Sequence, residues 1–190
     1  MIMAKHNLKR STLSAYRRNQ SGVAAVEFAL LAPVMVMLFF AIIEGSDALA
    51  ASRRATLAAN TLADLVAQET QIATNDLTGL FQGVELISNA SDADLDLTIV
   101  SLVYDPDDDR IEVAWSRDDN MGVPYAPGSP YPDVGDPSIF DEASSLIVAE
   151  LDYRYTSELS AFLIDNFTIR KTSARWPRRS GQVALCDPTC

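Results

Sequence analysis

Apolar and polar positions divide this 190-residue chain into three stretches of different character. The first 22 residues are polar and basic, with no periodicity that would bury one face. The next 21, Val23 to Ile43, are apolar except for Glu27 and Pro33. As a helix that run spans about 31 Å, enough to cross the hydrocarbon core of a bilayer. Ala48 to Gln68 then continues in Ala and Leu without Gly or Pro, which predicts an unbroken helix of about 45 residues or slightly more. Leu49, Leu57, Leu62, Leu65 and Val66 are the positions expected to supply its apolar contacts.

Farther on, Leu77, Leu80, Phe81, Val84 and Ile87 fall at helical spacing. They predict an amphipathic helix over Asn75 to Ser88, capped by Asn75 or Asp76, although Gly79 and Gly83 weaken it. The pattern then changes to period two. Leu95, Leu97 and Ile99, continuing to Tyr104, predict one strand, and Ile111 to Trp115 a second, joined through the acidic turn 105–110. Ser144 to Tyr155 predicts a third strand, with a slip in alternation expected at Ala149-Glu150, and Phe167 to Trp176 a fourth; Ser157 to Asp165 reads as a helical turn between them. Residues 118 to 138, with five prolines and three glycines, form a long surface loop in which Tyr125 and Tyr131 either lie down on the domain or face a partner. Helices followed by an antiparallel sheet of about four strands make an α+β body. The expected organisation is a leader at 1–22, a transmembrane helix at 23–43, a helix extension at 44–70 and an α+β domain at 71–190.

Charge sharpens this layout. The chain carries a formal charge of −11, yet residues 1 to 22 hold Lys5, Lys9, Arg10, Arg17 and Arg18 and no acid, leaving 10 basic against 26 acidic residues in the remainder. A body at −16 repels nucleic acid phosphates, so nucleic acid is excluded as a partner. The basic segment before the apolar run orients the N-terminus to the cytoplasm and the acidic body to the far side.

The acidic turn offers one metal candidate. Asp105, Asp107 and Asp109 follow the first half of a calcium loop, but Arg110 stands where its glycine belongs and Ser116 where its distal acid belongs, so a solvated turn is the stronger expectation. Cys186 and Cys190, with three residues including Pro188 between them, are compatible with a local disulfide after export, then with free thiols, and least with a metal site. No Gly-rich phosphate loop is present.

Glu27 is the unusual residue of the apolar run, because a carboxylate in hydrocarbon costs roughly 2.5–3.5 kcal/mol near the centre and is rarely retained without a partner. A basic leader, Gly22, four residues, Glu27-Phe28 and an apolar helix resemble the substrate signature of a prepilin peptidase. Ala25 to Leu30 with Pro33 and Ile43-Glu44-Gly45 is similar to the TadE and TadG pseudopilins of the tight-adherence pilus, most clearly over residues 17 to 70; Pro177-Arg178-Arg179 after the last strand extends the resemblance. It implies a pilin-like fold and cleavage between Gly22 and Val23 on the cytoplasmic face of the bacterial inner membrane. The mature amino group of a neighbouring subunit would then neutralise Glu27 and set subunit registration. Prepilin peptidase, other pilins or pseudopilins and the pilus assembly platform are the implied partners, with no cofactor. Cleavage there also removes His6, the only histidine, so no Ser-His-Asp or Cys-His pair forms and an enzyme is not expected. The alternatives are a secretory signal cut after Ala48-Leu49-Ala50, a twin-arginine signal at Arg17-Arg18, and a membrane-tethered binding module that samples a ligand through loop 118–138.

Overall fold

The computed structural model describes residues 21–88, 94–106, 108–132, 140, 145–156 and 167–190. The basic leader up to residue 20, Asp107, the end of loop 118–138 and the turn expected at 157–165 lie outside the described residues.

The order of elements is helix α1 (Ser21–Ala67), strand β1 (Gln71–Ala73), helix α2 (Thr74–Ser88), then strands β2 (Leu95–Asp105), β3 (Arg110–Asp118), β4 (Ser145–Tyr155), β5 (Phe167–Arg175) and β6 (Ala184–Cys186). Helix α1 has 47 residues, with Pro33 inside it. Contacts divide the chain into two units, one ending at Gly45 and one running from Ser46 to Cys190.

In the first unit the helix buries almost nothing. Val26, Phe28, Leu30, Met35, Phe39 and Ile42 are all exposed. An apolar surface of this extent is stable only where water is absent, and the helix from Gly22 onward, whose most apolar window has a mean hydropathy of 2.5, is long and apolar enough to cross a membrane.

The second unit is a two-layer α+β body. Its main sheet is antiparallel throughout, in the order β3-β2-β4-β5. One face carries Leu95, Leu97, Ile99, Ile147, Ala149, Leu151 and Ile169, packed on α2 through Leu77, Phe81 and Val84 and on the C-terminal part of α1. There the buried stripe of α1 is mainly alanine: Ala51, Ala55, Ala58, Ala59, Ala63 and Ala67, with Leu62 and Val66. Small side chains let a helix backbone approach a sheet closely. The contacts expected of Leu49, Leu57 and Leu65 are not made, since all three are exposed. The reason is rotational: the alanines recur at the helical period on one side, and those leucines lie off that stripe.

The opposite face holds a smaller apolar cluster of Val100, Leu102, Ile111, Val113, Leu146 and Val148, covered by Tyr131 and Phe140. The slip expected at Ala149-Glu150 is absent. Pairing of β4 with both neighbours runs without interruption, so Ala149 faces the helices and Glu150 the other side. The irregularity lies instead where β2 pairs with β3: Ser101 opposes Trp115 and Leu102 opposes Val113, leaving Ala114 as an extra residue. This bulge turns Trp115 to the helix side while Val113 points to the other, and in the buried layer Trp115 Nε1–H donates to the Val183 carbonyl at 2.8 Å.

A second, two-stranded sheet pairs β1 and β6 in parallel, which local periodicity did not suggest. The segment leading to β6 ties the layers together. Arg178 N–H donates to the Ala67 carbonyl at the end of α1 (2.9 Å), Ser145 N–H to Gly181 (3.1 Å) and Ala184 N–H to Thr70 (3.2 Å). Val183 between them is fully buried. Helix α2 begins one residue earlier than expected, at Thr74, whose hydroxyl donates to Asp187 Oδ1 at 3.2 Å in the loop closing the chain.

Candidate functional site

Gly22, Val23 and Glu27 all lie in the first turns of α1, in the unit that ends at Gly45. A Cβ at Gly22 would meet nothing within 4 Å, so no packing requirement of the described residues explains the glycine. Glu27 is exposed on the apolar helix and makes no ion pair among the described residues. One helical turn separates Val23 from Glu27, so both present on the same side of the helix. The arrangement is a single exposed carboxylate on an otherwise apolar stretch of helix. Near the other end of the apolar run, Glu44 has its Oε1 shielded from solvent with no hydrogen-bond partner among the described residues.

The turn between β2 and β3 arranges its acids differently from a calcium loop. Tyr104 Oη donates to Asp109 Oδ1 at 2.7 Å, and Asp109 adopts a left-handed backbone with φ of 49°. The carboxylates that converge, within 4.8 Å of one another, are those of Asp105, Asp108 and Glu112. Arg110 supplies the counter-charge, ion-pairing with Asp108 at 3.0 Å and with Glu112. The hydrogen bond to Glu112 is the main cause that raises the Arg110 pKa, with Asp108 and Asp105 adding to it against desolvation. Of the sequence candidates, the structure brings Asp105 into this group and turns Asp109 to Tyr104.

Tyr125 and Tyr131 lie against the sheet. Their rings meet edge to face at 5.3 Å, and both hydroxyls donate to Glu150, Tyr125 at 3.2 and 3.1 Å to its two oxygens. Ser116 anchors the same loop by donating to the Tyr125 carbonyl and accepting from its N–H. Gly128 and Ser129 bond to Val113 and cover the outer edge of β3. At the loop's start, Gly122 N–H donates to Asp118 Oδ1 at 2.6 Å, and a Cβ on Gly122 would push that carboxylate aside. Beside Glu150, Asp152 binds Arg170 through both oxygens at 2.8 Å, and this hydrogen bonding chiefly raises the Arg170 pKa.

Cys186 and Cys190 lie at disulfide distance, with Cα atoms 5.1 Å apart. Their loop docks on the start of α2 through Thr74 and near Arg117, which is 3.9 Å from Asp187.

No curated protein matches this chain, and no solved structure matches it. A family model does: the one described as TadE-like protein aligns with residues 22–64, from the expected cut through the apolar run to the alanine stripe that meets the sheet. Sequence resemblance around Glu27 and this match fall on the same segment, so the chain is similar to TadE-like proteins over its N-terminal helix.

Proposed function

We propose that this protein is a minor pseudopilin that acts in assembly or initiation of a tight-adherence pilus and is processed by prepilin peptidase between Gly22 and Val23. One observation carries the reading: the TadE-like match covers residues 22–64, the same helix whose apolar side chains stand exposed up to Gly45. A surface so apolar is satisfied by lipid while the chain waits in the inner membrane, and by neighbouring helices once it is assembled. The leader is cytoplasmic and the acidic body periplasmic. Glu27 pairs with the new amino terminus of a neighbouring subunit, which removes the cost of its charge in an apolar setting and fixes the stagger between helices. The body is a non-catalytic cap on that helix. The engagement of Tyr125 and Tyr131 with Glu150 speaks for this reading over a tethered module that binds ligand through those tyrosines.

N-terminal sequencing of the protein from membranes tests it. A start at Val23 is expected; a start at Ala51 identifies a cleaved secretory signal, and an intact Met1 a simple anchor. Glu27→Ala is expected to be processed normally yet fail to assemble, and normal pilus formation by that variant would refute the registration role.

A further inference from the structure

The body carries a groove of about 490 Å³ between the end of α1 and the start of α2. It is lined by the apolar Leu65, Ile72 and Leu80 and by the acids Glu69 and Asp76, among other polar residues. Both acids are exposed and neither has an ion pair among the described residues. The fitting counterpart lies on the same chain. Arg110, Arg117, Arg154, Arg170 and Arg178 are each paired with a carboxylate. Arg53 and Arg54, in contrast, are exposed and unpaired among the described residues, and Leu57, one turn on, is exposed beside them. On a helix these three side chains share one side and form a knob of two cations and an apolar tip.

A single copy cannot close this contact on itself. Arg53 and the groove residue Leu65 lie on one helix, twelve residues and about 18 Å apart along its axis. We infer that the Arg53-Arg54-Leu57 knob of one copy docks in the Glu69-Asp76 groove of a second copy of this chain, Leu57 entering between Leu65 and Leu80 and the arginines facing the two acids. Lys171 and Arg179 also lack an ion pair among the described residues, but each stands singly, whereas Arg53 and Arg54 put two cations beside an exposed leucine, matching two acids beside an apolar groove. The contact joins two different patches, so it is heterologous, and with the copies offset along parallel helix axes it repeats without closing into a ring. Seating Leu57 beside Leu65, eight residues farther along the same helix, displaces successive copies by about 12 Å along the helix axis. This deepens the pseudopilin reading and rests on it, since copies must move along the axis relative to one another.

The test is a charge-reversal cycle on the full chain in detergent micelles, where axial displacement is free, with self-association read by sedimentation. Wild type is expected to associate in a salt-sensitive way. Arg53→Glu with Arg54→Glu, and separately Glu69→Lys with Asp76→Lys, are each expected to weaken association at least about tenfold, because like charges then face each other. Combining all four is expected to restore it, which a misfolded variant would not do. Association that survives both double variants places the contact on another surface, such as the apolar run, and overturns the inference. So does a wild type that stays monomeric, or a quadruple variant that stays dissociated. The N-terminal residue of the membrane-derived wild type, determined in parallel, separates the two readings: a Val23 start without the charge effect refutes this contact alone, and a start at Met1 or Ala51 refutes the pilin route.

Discussion

Trp115→Phe probes the joint between the sheet and the C-terminal segment. In the wild type the indole N–H donates to the carbonyl of fully buried Val183 at 2.8 Å. Phenylalanine keeps the aromatic body but removes the donor, leaving a buried acceptor with a penalty of about 1–3 kcal/mol. The smaller ring also leaves a void worth about 1 kcal/mol on the cavity scale. Together these predict a loss of about 2–4 kcal/mol, felt first where Val183 holds its neighbours. Those neighbours are the Ala184 N–H bonded to Thr70 and the short β1–β6 pairing. Hydrogen exchange of the full chain in detergent is the assay. Amides of 184–186 are expected to exchange at least about 30-fold faster, by the usual conversion of free energy to an opening constant, whereas those of central strand β2 change less. Trp176→Phe is the control: Trp176 is exposed, meets Phe140 edge to face and makes no side-chain hydrogen bond among the described residues, so protection of 184–186 should be unaffected. Unchanged exchange of 184–186 in Trp115→Phe would show that the indole bond does not hold the tail, and would refute the reasoning.

Other perturbations address the remaining contacts. Ala59→Leu places a branched side chain in the alanine stripe between α1 and the sheet, where overpacking costs about 1–3 kcal/mol; a reduced urea midpoint is expected, and an unchanged one would mean that the layers are not closely packed there. Asp119 has its carboxyl pKa raised above the ordinary 3.8, chiefly by burial, with Asp118 and Asp96 adding to it against a hydrogen bond from Leu97 N–H. The folded state therefore holds this proton more tightly than the unfolded state. Its ionisation penalty is absent below the unfolded value, grows as pH rises through the folded pKa, and is fully present at neutral pH. Asp119→Asn is expected to flatten stability against pH in that acidic window, measured by denaturation at a series of pH values; an identical slope in both proteins would sink the assignment.

Periodicity carried most of the architecture because each main element buries a complete face. Leu77, Phe81 and Val84 mark the inner side of α2, and Leu95, Leu97 and Ile99 the inner side of β2, in spacings that allow one reading. The long apolar helix was legible for a simpler reason: its length and composition meet a lipid requirement without reference to any other residue, and Gly22 and Glu27 stand out against it. Where contacts join distant parts of the chain, local pattern was silent or misleading. Leu49, Leu57 and Leu65 looked like packing residues, but the close approach of α1 to the sheet selects alanines instead. Ile111, Val113 and Trp115 alternate as though they shared one face; the unpaired Ala114 sends Trp115 to the other, a choice settled by Val183, 68 residues away. The β1–β6 pair has three residues in each strand, too short to show a period, and exists because residues 176 to 183 cross the end of α1 and bring Ala184 beside Gln71. A short apolar segment carries no address of its own, and its partner is decided by the tertiary contacts on either side of it.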